Sequence, residues 1–107
     1  MADITKLKKH QIEKLLQEAE KEYGPIDMVI CCAGISSPAM FLSSEISAFQ
    51  QHMEVNFFGV LNFVHPIAKR MVIRRDGGRI ALIGDPTVVE KAIPGMGAYA
   101  CSKGALD

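Results

Sequence analysis

Tyr99 and Lys103 stand four residues apart near the end of the 107-residue chain. On a helix that spacing puts a phenol and an ammonium one turn apart on one face. A neighbouring cation favours the phenolate, so it lowers the phenol pKa and suits Tyr99 to donate a proton to a carbonyl oxygen near neutral pH. An ordinary surface pair has the same spacing. Asn56 is a second candidate, because it occupies a helical stripe whose other members are apolar. A buried amide without partners costs on the order of 1–3 kcal/mol. It either bonds neighbouring backbone or is placed to bond backbone or water beside a site. The third candidate is Cys31-Cys32-Ala33-Gly34, which closes an apolar run. Ala33 and Gly34 lack bulk, so a ligand can approach the backbone there, although a tightly packed strand end looks the same.

The elements that must position these groups follow from periodicity. Ile12, Leu15, Leu16, Ala19 and Tyr23 recur at helical steps, and Gly24-Pro25 stops the pattern. Glu13, Lys14, Glu18 and Lys21 read as its solvated face. Residues 26–33 form a short continuous apolar run, expected to be a strand buried on both faces. A loop follows, with Ser43 or Ser44 as the expected N-cap of a long helix. Its stripe is Ile46, Phe49, Met53, Asn56, Val60, Phe63, Ile67 and Met71, and Pro66 inside it predicts a kink. Arg79 to Ile83 is a second short strand, Gly84 to Gly97 a loop, and a last helix starts near Ala98. Asp3-Ile4 reads as the end of an earlier strand on the same sheet edge, though Asp3 equally suits a helix cap. Strands alternating with helices predict an α/β fold with parallel strands, in which ligands sit beyond the strands' carboxyl ends.

The composition narrows the function class. Twelve Lys and Arg balance twelve Asp and Glu, which gives no support for nucleic-acid binding or an anionic membrane surface. No apolar run approaches the ~20 residues of a membrane span. The three cysteines and three histidines show no zinc spacing, so no metal site is expected. Buried, reduced thiols are the expectation for Cys31, Cys32 and Cys101, in a cytoplasmic protein.

Taken in order, these residues resemble the short-chain dehydrogenase/reductase family. The carrying segments are Asp3-Ile4, Gly24-Pro25-Ile26-Asp27 leading into Cys-Cys-Ala-Gly, Val55-Asn56-Phe57-Phe58-Gly59, Gly78-Arg79-Ile80 and Tyr99-Ala-Cys-Ser-Lys103. Asp27-Met28 followed by Cys-Ala-Gly is similar to 3-ketodihydrosphingosine reductases. The resemblance implies central strands and helices of a doubly wound, Rossmann-like parallel sheet, with 1–107 an internal fragment of one NAD(P)-binding domain. It implies hydride transfer between NADPH (or NADH) and a small carbonyl compound, with a lipid, 3-ketodihydrosphingosine, as one candidate. Tyr99 would be the general acid. Lys103 would lower its pKa and bond the nicotinamide ribose, and Asn56 would hold a relay water. Asp3 and Ile4 would meet the adenine, and the Cys32, Ala33 and Gly34 backbone would line the ribose. Family members often pair as homo-oligomers through the long helices, where Phe57, Val64 and Ala68 are available. With a sphingoid substrate, the cytosolic face of the endoplasmic reticulum would be the expected location.

Two departures from the family pattern stand out. No glycine-rich phosphate loop follows a first strand. The family's serine, about thirteen residues before the tyrosine, is also absent, and Gly84-Asp85-Pro86-Thr87 occupies that stretch. Losing one transition-state donor costs about 3–4 kcal/mol. Asp85 would repel a developing oxyanion, so either Thr87 substitutes or the parent protein is a weak or inactive, cofactor-binding or dimerising member. The isolated chain, with an apolar strand exposed, is expected to aggregate and to be inactive on its own.

Overall fold

The computed structural model describes residues 6–107, so Asp3 and Ile4 lie outside the described residues. The elements run α1 (Lys9–Tyr23), β1 (Met28–Cys31), a 3-10 turn (Phe41–Ser43), α2 (Ile46–Met53), a π turn (Glu54–Phe58), α3 (Gly59–Arg74), β2 (Arg79–Leu82), α4 (Pro86–Glu90) and α5 (Gly97–Leu106). Strands β1 and β2 pair in parallel, with Met28 opposite Arg79 and Cys31 opposite Leu82. The crossover between them is the long helical segment, as a parallel pair requires. The fold class is therefore the expected α/β arrangement.

The core sits between α1, α3 and one face of β1. Ile12 and Leu16 of α1 meet Ile67 and Met71 of α3, with Ile26, Val29 and Phe63 packed around them. Leu15 and Tyr23 were expected on the buried stripe of α1, but both are exposed. A single facing helix covers a narrow stripe, and Ile12 and Leu16 fill it. Gly24 ends α1 at φ +90°, a left-handed backbone that favours glycine, and its N–H donates to Glu20 O at 2.8 Å.

The strands are shorter and more open than the sequence predicts. Val29 and Cys31 are half-buried toward α3, whereas Met28 and Ile30 on the alternate face are exposed. β2 is exposed throughout. Among the described residues the sheet has two strands, and no third layer covers the alternate face.

The long helix runs from Ile46 to Arg74, and Pro66 inside it has no N–H to give, so one backbone hydrogen bond is missing there. The hydrogen-bond register also changes in the π turn, where the Gly59 N–H reaches back to Glu54 O. Ile46, the first member of the predicted stripe, is exposed, because the helix start projects past its neighbours. Neither Ser43 nor Ser44 caps it. Glu45 takes the N-cap position, and Ser44 Oγ donates back to Met40 O at 3.0 Å. The expected loop after β2 contains the short helix α4, which Pro86 starts and which seats Val88 in the interior. Cys31 is half-buried while Cys32 and Cys101 are exposed, correcting the expectation of three buried thiols; all three are free.

Candidate active site

Asn56 sits in the middle of the π turn and is fully buried. Its Oδ1 accepts the Ile35 N–H at 2.8 Å, and its Nδ2 donates to Ile35 O at 3.0 Å and to Ser102 Oγ at 2.9 Å. Ser102 Oγ in turn donates to Tyr99 O at 2.7 Å. One amide thus ties the segment after β1 to α5. The side-chain groups that a relay water would need are already bonded to protein, which places the Asn56 side chain in the frame of the site.

His52 does parallel work one turn earlier, and the sequence reading missed it. The ring is fully buried; Nε2 accepts the Ser37 N–H at 3.1 Å, and Nδ1 lies 2.6 Å from Ala48 O. With Nε2 the acceptor, the proton is on Nδ1. The only signal available was its i, i+4 spacing to Asn56, which puts both on one helix face. Farther along, the Ala39 N–H donates to Gly95 O at 2.9 Å, so the loop after β1 is also joined to the approach to α5.

Tyr99 and Lys103 share one side of α5 as predicted. Lys103 is buried, and its Nζ donates to Ile83 O at 2.9 Å, at the carboxyl end of β2. The same Nζ lies 5.8 Å from the centre of the Tyr99 ring. Gly34 is its other neighbour: a Cβ built there would lie 3.7 Å from Lys103 Nζ and 3.2 Å from Asn56 Oδ1. The bend Cys32-Ala33-Gly34 is itself exposed. A buried ammonium therefore stands between a phenol ring and an open glycine bend, at the carboxyl ends of both strands.

The phenol hydroxyl has a partner that changes its expected chemistry. Tyr99 Oη donates to Asp85 Oδ2 at 3.0 Å. Burial, then this hydrogen bond and the Asp85 charge, push the Tyr99 phenol above its ordinary value. The sequence reading expected Lys103 to lower it. Here the ammonium gives one N–H to the Ile83 carbonyl, and the carboxylate is the charged group bonded directly to the hydroxyl. Thr87, the other candidate to stand in for the missing serine, is an exposed residue of α4, and the group bonded to the phenol is Asp85. Burial and the neighbouring Cys32 raise the Cys31 thiol, which argues against a thiolate at this strand end. No cluster of metal-ligating side chains occurs among the described residues.

The sequence profile of the short chain dehydrogenase family matches residues 1–107. The chain belongs to that family. Among its relatives, the glycine betaine reductase ATRR of Emericella nidulans is 32% identical over 101 residues, covering 94% of this chain and 8% of that protein. The 3-ketodihydrosphingosine reductase of Mus musculus is 31% identical over 97 residues, covering 91% of this chain and 29% of that protein. A solved gluconate 5-dehydrogenase from Burkholderia cenocepacia, in complex with NADP and tartrate, superposes with a TM-score of 0.82 at 30% identity, covering 98% of this chain and 40% of that one. ElxO with NADP bound, 21% identical, shares the fold with a TM-score of 0.86, covering 98% of this chain and 41% of that one. The chain thus spans less than half the length of each of these proteins. The match extends over the Rossmann-like segment that carries β1, β2 and the helices between and after them.

Proposed function

We propose that this protein serves the NAD(P)-dependent reduction of a carbonyl compound, with Tyr99 as proton donor and Lys103 as the ammonium that holds the cofactor's ribose. The observation that supports this reading best is the buried Lys103, set between the Tyr99 ring and the bare, exposed bend at Gly34. That cradle fits the ribose end of a dinucleotide: Gly34 presents backbone without a side chain, and the ammonium donates hydrogen bonds of the kind a ribose hydroxyl accepts. Lys103 and the Cys32–Gly34 backbone would hold it there. Asp3, assigned to the adenine, lies outside the described residues.

When bound, the nicotinamide supplies a hydride to the carbonyl carbon. Tyr99 gives its hydroxyl proton to the carbonyl oxygen, and the Lys103 charge offsets the phenolate left behind. Asn56 and His52 are positioning residues. They fix the segment of residues 35–37 against α2 and α5, so that Gly34 stays beside the ammonium.

An apolar substrate, with 3-ketodihydrosphingosine as the candidate, has specific support. Met40, Phe41, Leu42 and Ile46 are all exposed on the segment that joins Gly95. Phe41 stacks edge-on with Phe49, and Phe49 lies against Gly97 at the start of α5. A homo-oligomer paired along the long helix belongs to the same reading and is tested by sedimentation of the purified protein. No helix among the described residues is long and apolar enough to cross a membrane.

The test is a cofactor-oxidation assay with NADPH and NADH, run against short-chain and sphingoid ketones. Activity that Tyr99→Phe removes supports the reading. Turnover unchanged in that variant ends it.

A further inference from the structure

We propose that Asp85 is a brake on Tyr99: its carboxylate holds the phenol proton, and Tyr99 serves another acceptor only when that carboxylate turns away. This rests on the reading of Tyr99 as a proton donor and concerns how that donor is controlled.

The geometry carries the argument. Asp85 stands two residues beyond Ile83 at the end of β2, immediately before α4. An aspartate at such a position ordinarily caps its helix by accepting a backbone N–H. Here the side chain makes no cap bond; it turns instead to the phenol hydroxyl at 3.0 Å. Lys103 Nζ gives one N–H to Ile83 O and lies 5.8 Å from the Tyr99 ring centre, whereas the Asp85 carboxylate is bonded to the hydroxyl itself. The other titratable groups on the elements packed against α5 do not take the hydroxyl. His52 of α2 is bonded to Ser37 and Ala48, while Glu54 of the π turn and Glu90 of α4 are exposed.

The proton step then has a definite obstacle. The Tyr99 O–H bond breaks, an O–H bond forms on the acceptor oxygen, and a phenolate is left beside a carboxylate. Two like charges at hydrogen-bond distance disfavour that product. Turning the Asp85 side chain away removes the repulsion, so donation from Tyr99 improves when the carboxylate leaves the hydroxyl. The reverse role, a phenolate acting as base, is opposed. The raised phenol pKa agrees in direction.

The chain has two tyrosines and no tryptophan, which allows a direct measurement. In a Tyr23→Phe background, tyrosinate absorbance reports Tyr99 alone. The expected midpoint lies above that of free tyrosine amide. Asp85→Asn should move it down part-way, the remainder being burial, and Asp85→Glu should keep it high. A Tyr23→Phe midpoint at or below that of tyrosine amide overturns the proposal. So does an Asp85→Asn midpoint that does not move while helical circular dichroism is intact. The first reading needs no change at position 85, so it can overturn the proposal even where a variant there unfolds, while the downward shift in Asp85→Asn separates the carboxylate from burial. No cofactor or substrate enters these titrations. A phenol midpoint that falls in Asp85→Asn, together with no turnover by the full-length protein, sinks the reductase reading and leaves the Asp85–Tyr99 coupling standing. In the turnover assay, Asp85→Asn should raise the rate at neutral pH several-fold; an unchanged or lower rate overturns the brake.

Discussion

At the scale of single residues, the site is framed by polar groups that touch no ligand. Asn56 satisfies both backbone groups of Ile35 and the Ser102 hydroxyl from a fully buried position. Asn56→Ala would strip both Ile35 backbone groups of their partner and leave Ser102 Oγ only its bond to Tyr99 O, and a loss of about 2–4 kcal/mol is expected in urea unfolding. Tyr99 carries a pH signature. Its phenol is raised by burial and by Asp85, so the folded chain disfavours the phenolate. That contribution to stability is fully present below the unfolded phenol value of about 10, and it is lost as pH rises through the higher folded value. Unfolding midpoints followed above about pH 10 should therefore fall, and less steeply in Tyr99→Phe. Asn56 was legible in the sequence because an amide interrupts an apolar stripe. His52 was not, because nothing on the sequence announces that its acceptor is a backbone N–H fifteen residues away. The Asp85 contact was half legible: the carboxylate was visible where the family has a serine, but not the turn that aims it at Tyr99.

At the scale of elements, the helices were read from their periodicity, while their exact faces were settled by which neighbours exist. Leu15, Tyr23 and Ile46 fit a period and still face solvent, because periodicity says what is available for burial and packing decides what is buried. The π turn was not legible, since Pro66 offered a more obvious break. Charges read as a solvated face also do more than that. Glu13 and Glu20 of α1 both hold Arg70 of α3, with Glu13 Oε2 at 2.8 Å from Arg70 Nη2. Arg74 similarly bonds Ile26 O at 2.8 Å and Asp27 Oδ1 at 2.9 Å, fixing the end of α3 to the approach of β1. The hydrogen bond from Arg70 holds the Glu13 carboxyl below the usual carboxylate range. Its stabilising effect is present above the unfolded carboxylate value and is lost as pH falls through the lower folded value. Glu13→Gln should reduce the acid-side fall in the unfolding midpoint. Because the pair is only part-buried and in reach of water, the difference should be small and should shrink in high salt.

At the scale of the whole molecule, one thin core and one open sheet face set the stability. The alternation along β1 sends Val29 toward α3 and Ile30 to the uncovered side, although both are branched apolar residues in the same short run. This explains why the run was read as a strand buried on both faces: its composition is that of a covered parallel strand, and cover depends on what packs against it. The two faces should respond differently to substitution. Ile67 is 4% exposed and packs with Ile12, Leu16 and Met71, so Ile67→Ala should cost about 2–4 kcal/mol through lost transfer and a residual cavity. Ile30 is 56% exposed. Ile30→Ser should cost less than about 1 kcal/mol, and it should lower the binding of a hydrophobic dye by removing part of an exposed apolar patch. Urea unfolding with dye fluorescence on the same samples separates the two effects. A stability loss at Ile30 equal to that at Ile67 would mean that the alternate face of the sheet is covered in solution. Self-association would be the first explanation to examine, by repeating the measurement across protein concentrations, because a partner that buries this face makes the unfolding midpoint rise with concentration.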